Sequence, residues 1–394
     1  MDPKKPKITP HQLDAFTEPV TDIYRALEDD IFQMMVKRLK TSKDITKDTV
    51  LEWQVDKMNQ IRMINKETVQ ALSKATGMSE KAITEAIRNT GLESINSVDY
   101  ELSDVYDKLP MPSHIDKVLE SFVKQTFREL DNYVNQTLIT TNYGEGTVTR
   151  MYRKIVEETT GRVLAGTTTV NKAMSETVMR WSNKGIDTAF IDKGGHTWQL
   201  ERYAETVIRS TVNRTYNELR MDRMEEYNVN LVLVSSLPDP REICGEIQGK
   251  VASMEEDPKG DYPSIYDYGY GTPGGIRGIN CRHMFFPFVE GLNTNNQPQF
   301  DEDEMKKNRE LSQKQRYHER QVRKGKRDYN IAKEGGDKET IAKARDKLLT
   351  RQAKLRDFAN KHNRTRRRDR EQLVKNNPHV RGKPRKDLKG NQKG

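Results

Sequence analysis

Apolar residues recur at helical spacing along most of residues 17–185, and this pattern restricts the fold more than any other feature of the sequence. One inward face is formed by Ile23, Leu27, Ile31, Met34 and Leu39, and a second helix over about 48–75 would turn Leu51, Val55, Met58 and Ile61 inward. Such periodicity is typical of amphipathic helices that pack on one another. We therefore predict a helical domain over 17–199, preceded by a disordered leader over 1–16.

The segment ALSKATGMSEKAITEAI contains a glycine between two helical patterns. Gly77 would end one helix as a C-cap, and Ser79 would cap the next. The arrangement resembles a helix-turn-helix, but a recognition helix needs an excess of positive charge. The second helix carries two acidic and two basic residues, Glu80, Glu85, Lys81 and Arg88. We therefore favour a helix hairpin inside a bundle.

The pattern changes from residue 200 onward. A long helix is followed by the apolar run NLVLVSS, by an irregular stretch over 237–280, and by a second apolar run, INCRHMFFPFV. The two runs predict strands of one sheet. One shared core is expected from Trp198, Tyr203, Val207, Tyr216, Val232, Val234, Phe285 and Phe288. Residues 200–291 thus form a small α+β module, and the fold class is α+β, mainly α.

Charge is distributed unevenly. Residues 301–394 hold 31 basic and 15 acidic residues, a net charge of +16, whereas residues 1–300 have a net charge of −7. We predict a linker and charged helices over 292–363, with Gly325 and the pair at 335–336 as breaks, and a basic disordered tail over 364–394.

A basic tail on an acidic body favours contact with a polyanion such as double-stranded DNA, bound without sequence preference. The alternative is a solvated tail with no ligand. The predicted nucleic-acid-binding residues are Arg366, Arg367, Arg368, Arg370, Arg381, Lys383, Arg385 and Lys386.

Several function classes lack their signatures in the sequence. No run of about 18 apolar residues predicts a transmembrane helix, and no apolar segment follows the first lysines as in a secretory signal, so cytosolic synthesis is expected. The segment GEIQGKV over 245–251 imitates a phosphate-binding loop, but its spacing is one residue short and Val251 replaces the hydroxyl residue. No catalytic motif was found, so we do not expect an enzyme.

The two cysteines, Cys244 and Cys281, could bind zinc together with His283. The spacing contains no second close pair, so His196 or Asp239 would have to supply a fourth ligand. The alternatives are two buried free thiols, which we favour, or a disulfide. No cofactor is expected, apart from this weakly indicated structural zinc.

Five glycines surround Tyr268 and Tyr270 in the segment DYGYGTPGGIRGINCRH. Such a loop could form an anion-binding nest, or it could be a tightly packed turn. We favour packing, because only Arg277 and Arg282 could serve an anion.

Three segments of the chain resemble the phage minor capsid protein 2 family of tailed phages, which is related to the Mu-F-like head morphogenesis proteins. They are YAETVIRSTVNRTYNELR with VNLVLVSS, then QGKV with GYGTPGGIRGINCRHMFFPFVEG, then the basic helix QRYHERQVRKGKRDYNIA. The residues that carry the motif are Gln248, Gly249, Lys250, Gly271, Gly274, Gly275, Gly278, Asn280, Cys281, Arg282 and His283. Family members often have His and Trp just before Q-G-K, where this chain has CGEI.

The resemblance implies a minor structural protein of a phage head, at the portal vertex or inside the capsid, assembled in the host cytoplasm. It implies a role in head assembly, DNA packaging or DNA ejection. The implied partners are the portal protein, other head proteins and packaged DNA, with no membrane in the resting particle. Two alternatives stay open: a nucleic-acid-binding regulator that uses residues 70–90, and a metal-dependent enzyme that uses Cys244, Cys281 and His283.

Overall fold

The computed structural model describes residues 10–141, 144–166 and 168–374. The helices are α1 (Pro10–Leu39), α2 (Val50–Asn59), α3 (Ile61–Leu102), α4 (Ile115–Leu130), α5 (Gln136–Ile139), α6 (Thr147–Leu164), α7 (Val170–Lys184), α8 (Leu200–Glu226), α9 (Glu242–Ile247), α10 (Glu302–Gly335) and α11 (Lys338–Lys361). Short π and 3-10 segments are Asp131–Asn135, Ile265–Tyr268 and Arg368–Glu371. The strands are β1 (Thr140–Thr141), β2 (Gly144–Glu145), β3 (Asp187–Ile191), β4 (Thr197–Gln199), β5 (Leu231–Val234), β6 (Val251–Ser253) and β7 (Phe285–Phe288). The mainly α, α+β class is confirmed.

Helices α1, α3 and α8 pack against one another at the centre of a bundle, and α6, α7 and α10 cover them. On α1 the predicted face is buried at Ile23, Leu27, Ile31 and Leu39. The predicted inward face of the second helix was wrong in part, because Met58 and Ile61 pack against the bundle core but Leu51 and Val55 do not. Leu51 and Val55 are more than half exposed, and α2 instead buries its other face through Val50 and Trp53.

The predicted break at Gly77 is also wrong, because α3 continues through it from Ile61 to Leu102. Ser79 does not cap a new helix; its hydroxyl donates to the carbonyl of Thr76 at 2.9 Å, a bond within the helix. A glycine inside a helix costs only about 1 kcal/mol relative to alanine, and burial of the long apolar face outweighs that cost. Residues 70–90 therefore form neither a helix-turn-helix nor a helix hairpin.

The two predicted strands lie in one sheet, as expected. β5 pairs antiparallel with β7 and also with β6, a third strand that the sequence pattern did not predict. The β3–β4 and β1–β2 hairpins were not predicted either.

The prediction of one shared core for the α+β module was wrong in part. Tyr203, Val207 and Tyr216, with Trp198 beside them, belong to the bundle core, whereas Val232, Val234 and Phe285 belong to a second core under the sheet. Helix α8 takes part in both, because Tyr216 lies in the first core and Met224 in the second. The bundle and the sheet module are therefore joined by one continuous helix.

Helices α10 and α11 form an antiparallel hairpin that closes at Gly336 in the left-handed conformation. Gly325 does not interrupt α10. Its missing side chain lets α11 approach, because a Cβ there would lie 3.2 Å from both Leu348 and Arg351.

The ordered part of the chain extends further at both ends than the sequence predicted. Helix α1 begins at Pro10 and buries Leu13, within the expected leader 1–16. Residues 364–374, expected to be disordered, pack on α10. No helix among the described residues is long and apolar enough to cross a bilayer.

Candidate functional site

Behind the glycine-rich loop, the sheet module brings Cys244, Cys281 and His283 together. The two sulfurs lie 3.9 Å apart, and the sulfur of Cys281 lies 3.4 Å from Nδ1 of His283. The ligand atoms of all three side chains fall within 4.8 Å of one another, and no side chain is more than 3% exposed. We call this group the Cys–His cluster. The sequence predicted its members, and the structure shows that they meet.

The members of the Cys–His cluster are held in place by hydrogen bonds of the elements that carry them. Cys244 lies on α9, and Cys281 and His283 lie on the extended run into β7. Asn213 of α8 donates to the carbonyl of Cys281. Arg241, just before α9, donates to the carbonyl of Gly275 at 2.8 Å and so ties α9 to the glycine-rich loop.

Gln248 fixes the tautomer of the histidine. The backbone N–H of Leu237 donates to Oε1 of Gln248 at 2.9 Å, which identifies that atom as the carbonyl oxygen. Nε2 of His283 lies 3.0 Å from the same oxygen and must therefore donate to it. In the neutral imidazole, Nδ1 is then an acceptor, and it faces the sulfur of Cys281.

The two thiols differ in acidity. The pKa of Cys281 is held well below its usual range, first by the hydrogen bond from Cys244 and then by His283 and Arg277. The pKa of Cys244 is raised, first because its thiol donates to Cys281 and then because it is buried. Of the two thiols, Cys281 is therefore the more acidic.

The glycine-rich loop delivers Cys281 by close backbone packing. A Cβ at Gly275 would overlap the carbonyl of Gly269, and one at Gly278 would overlap the carbonyl of Thr272. Asn280 adopts a left-handed φ of 60° just before the cysteine. These contacts agree with the packed-turn interpretation that the sequence favoured.

Other motif positions have simpler roles or lie at the surface. Gly249 has a φ of 69°, and its carbonyl accepts from Asn295 and Gln299 of the linker. The carbonyl of Lys250 accepts from Val234, so the Q-G-K segment forms the turn between α9 and β6. The exposed positions of the motif are Lys250, Gly271, Gly274 and Asn280.

Neither proposed fourth zinc ligand joins the Cys–His cluster. His196 is exposed at the turn between β3 and β4, where its ring lies 3.2 Å from Asp192. Asp239 faces Arg316 at 3.8 Å. Within the described ranges, the cluster of metal-binding side chains therefore contains three residues.

Sequence reasoning missed two fully buried arginines on α8. Arg220 makes a two-pronged contact with Glu101 of α3 at 3.0 and 2.6 Å and donates to the carbonyl of Phe285. Arg223 contacts Asp99 at 2.6 Å. A signal was present, because Arg220 follows Tyr216 by four positions and therefore lies on the predicted inward face.

A second group of residues lies where α8 and α10 meet the end of the chain. Its guanidinium groups belong to Arg209, Arg282, Arg316, Arg367 and Arg370, which we call the arginine cluster. Burial and the neighbouring Arg282, Arg370 and Arg367 lower the pKa of Arg316 to about 10. Burial and then Arg367 and Arg209 likewise lower the pKa of Arg370.

Carboxylates compensate the arginine cluster only in part. They are Asp14, Asp239, Glu319 and Glu205, and Glu205 is shared with Arg25. Arg316 has Asp239 at 3.8 Å, and its buried Nε has no hydrogen-bond partner. Arg282 forms no ion pair with any residue in the part of the chain that the structure describes.

The predicted DNA-binding residues separate into three groups. Arg366, Arg367 and Arg370 are paired with Glu371, Glu319 and Asp14, respectively. Arg368 is exposed. The other four lie outside the described residues: Arg381, Lys383, Arg385 and Lys386.

Comparison with known proteins shows that this chain is similar to structural proteins of phages. A protein of Lactococcus phage LL-H named Structural protein is 37% identical over 362 residues, which is 89% of this chain and 98% of that protein. A protein of the same name from Lactococcus phage mv4 is 45% identical over 114 residues, 29% of this chain and 93% of its own length. No solved structure matches.

Within that class, the chain belongs to the family described as Phage minor capsid protein 2, whose pattern matches residues 8–360. The resemblance seen in the sequence is thereby confirmed.

Proposed function

We propose that this phage structural protein acts inside the head, at or near the portal vertex, where it contacts packaged DNA during assembly, packaging or ejection. The observation that carries the DNA contact is the arginine cluster. Its positive charge exceeds what the adjacent carboxylates compensate, and a phosphate group would supply the missing negative charge.

The basic tail continues from a segment that lies beside the arginine cluster, and this supports a shared role in binding phosphate. Arg367 contacts Glu319 at 2.8 and 3.0 Å, and Glu319 is 2% exposed, so residues 364–374 are fastened to α10. Residues 375–394 follow directly and contain seven basic residues and one acidic residue. The tail therefore departs from beside the arginine cluster, and the two together would form one phosphate-binding surface.

Because three of the predicted DNA-binding arginines form ion pairs within the protein, we expect other residues to make most of the phosphate contacts. Arg366, Arg367 and Arg370 hold the segment on the body through Glu371, Glu319 and Asp14. We infer that phosphate contact falls mainly to Arg282, Arg316 and the basic residues after Val374. Docking on the portal protein and other head proteins rests on the family, and we assign no residues to it.

The location is tested by mass spectrometry of purified phage particles, with copy number per particle and with empty and full heads compared. We expect the protein in both at low copy number. Absence from particles would contradict the proposal and favour a transient assembly factor.

DNA contact is tested with the full-length protein on random-sequence duplexes over a range of salt concentrations. Affinity should fall with salt, with a slope of about −0.9 per phosphate contacted. Replacing Arg282 and Arg316 by Gln should reduce the slope by about 1–2, and replacing Arg381, Lys383, Arg385 and Lys386 by Gln should reduce it further.

The matched control removes two positive charges elsewhere, through Lys81→Gln with Lys117→Gln on the exposed surfaces of α3 and α4. It should leave the slope unchanged. Equal losses in the control and the Arg282/Arg316 variant would show that only net charge matters. No salt-dependent binding by the full-length protein would remove DNA contact from the proposal.

A further inference from the structure

Two of the three distances within the Cys–His cluster match the edges of a tetrahedral metal site, and the third lies within 4.8 Å. Zinc bonds of about 2.3 Å to sulfur and about 2.0–2.1 Å to nitrogen place two sulfurs about 3.8 Å apart and a sulfur and a nitrogen about 3.6 Å apart. The corresponding separations are 3.9 Å for Cys244 to Cys281 and 3.4 Å for Cys281 to Nδ1 of His283. The same sulfur separation is too long for a disulfide bond, which needs about 2.05 Å.

The histidine is oriented as a metal-binding histidine would be. Zinc-binding imidazoles commonly donate their second ring nitrogen to an oxygen that fixes the tautomer. Here Gln248 accepts from Nε2 at 3.0 Å and is itself held by the N–H of Leu237. The lone pair of Nδ1 is thereby directed toward the sulfur of Cys281.

We propose that Cys244, Cys281 and His283 bind one zinc ion, which joins α9 to the run into β7. Two thiolates and an imidazole are soft and borderline donors that suit zinc better than magnesium or calcium. No fourth His, Cys, Asp or Glu joins the three within the described part of the chain, so three ligands come from these side chains. The cysteine side chains are at most 3% exposed, and the role is structural rather than catalytic.

Zinc binding to the Cys–His cluster releases protons from the two cysteines. Each of the two cysteine thiols loses its proton to solvent when its sulfur bonds to the metal. This inference is independent of DNA contact, since the cluster lies in the core of the sheet module.

The test uses full-length protein expressed with added zinc salt and purified without chelator. Elemental analysis should find about one zinc per chain, and Cys281→Ser should reduce this below about 0.2. His196→Gln, which changes an exposed histidine outside the cluster, is the matched control and should retain full metal content.

Because a cysteine variant could fail to fold, a second measurement uses the unmodified sequence. Zinc is removed with a chelator, and Co²⁺ is added while absorbance is recorded. We expect a thiolate-to-cobalt charge-transfer band and intense tetrahedral d–d bands, both displaced by one equivalent of zinc. A lower melting temperature after chelation should accompany the loss of zinc.

Three outcomes would overturn the proposal. One is zinc below about 0.1 per chain together with no thiolate-to-cobalt band. Another is a mass 2 Da lower with no free thiol in the unreduced protein, which would identify a disulfide between Cys244 and Cys281. The third is equal zinc content in the Cys281→Ser variant and the unmodified protein, which would place the metal elsewhere.

Discussion

The two ends of helix α8 make ion pairs in different surroundings. Near its start, Glu201 and Glu205 meet Arg25 at 2.9 and 3.3 Å, with side chains 13–27% exposed. Near its end, Arg220 and Glu101 are 0% and 4% exposed. The pairs at the first end are partly exposed and have second charged partners, whereas Glu101 has, among the described residues, only the hydroxyl of Ser97 besides Arg220. The same chemical contact therefore positions the sheet module far more strictly than it positions the start of the helix.

Removing a buried charge should give the largest effect. Arg220→Ala leaves Glu101 buried without its partner and also frees the carbonyl of Phe285. We expect the free energy of unfolding to fall by about 3–5 kcal/mol, measured by urea denaturation.

The comparison variant at the other end of α8 is Arg25→Ala. Glu201 keeps Arg323 at 3.1 Å and Glu205 keeps Arg209 at 2.9 Å, while the buried Asp22 loses its contact with Arg25 at 3.6 Å. We expect a loss of only about 1–2 kcal/mol. Equal losses in the two variants would contradict the distinction between buried and screened pairs.

Phe285→Ala tests whether the two cores unfold together. Phe285 is 1% exposed in the second core, and its truncation should cost about 3–5 kcal/mol. All three tryptophans report on the bundle, since Trp53 lies in its core and Trp181 and Trp198 pack against it. Because α8 belongs to both cores, the tryptophan fluorescence transition should shift together with circular dichroism.

A tryptophan transition that stays in place while circular dichroism loses an earlier phase would show two independent units. That result would support the predicted boundary between a helical domain over 17–199 and a module over 200–291. Phe32→Ala in the bundle core is the control and should shift both signals.

These comparisons show which features of the fold and of the candidate site could be predicted from the sequence. Local periodicity predicted the buried face of α1 and both strands of the β5–β7 pair. The contact of Arg220 with Glu101 joins residues 119 positions apart, and local patterns do not encode such pairings. Likewise, the sequence named Cys244, Cys281 and His283, but the role of Gln248 in orienting His283 depends on the turn that carries it.

The prediction that a helix ends at Gly77 was an error of a different kind. Gly77 looked like a stop signal, yet α3 passes through it because the inward residues on both sides share one face, as Leu72 and Ile83 show. Local propensity was weaker than the packing of a long apolar stripe. The tail was misjudged for a related reason, since Glu319 and Glu371 provide buried partners for arginines that a composition count treats as free.

Gly275→Ala should have an intermediate effect. The added methyl group would overlap the carbonyl of Gly269, so the backbone must shift, at a cost of about 1–3 kcal/mol. Gly274→Ala is the adjacent control, because nothing lies within 4 Å of its Cβ position. The thiols should also become more reactive in Gly275→Ala, since the loop holds Cys281. Equal stability of the two variants would show that the loop is loosely packed.

The smallest effect, and one of opposite sign, is expected at Gly77. It lies inside α3, and an added Cβ would meet nothing within 4 Å. Alanine is favoured over glycine in a helix interior by about 0.5–1 kcal/mol, so Gly77→Ala should stabilise the protein by that amount in thermal or urea unfolding. If Gly77 were instead a left-handed C-cap, as its sequence context first suggested, alanine would be strained there and the variant would be less stable. The sign of this single change therefore distinguishes one continuous helix from two, and a loss of stability would return residues 70–90 to the helix-turn-helix or hairpin interpretation.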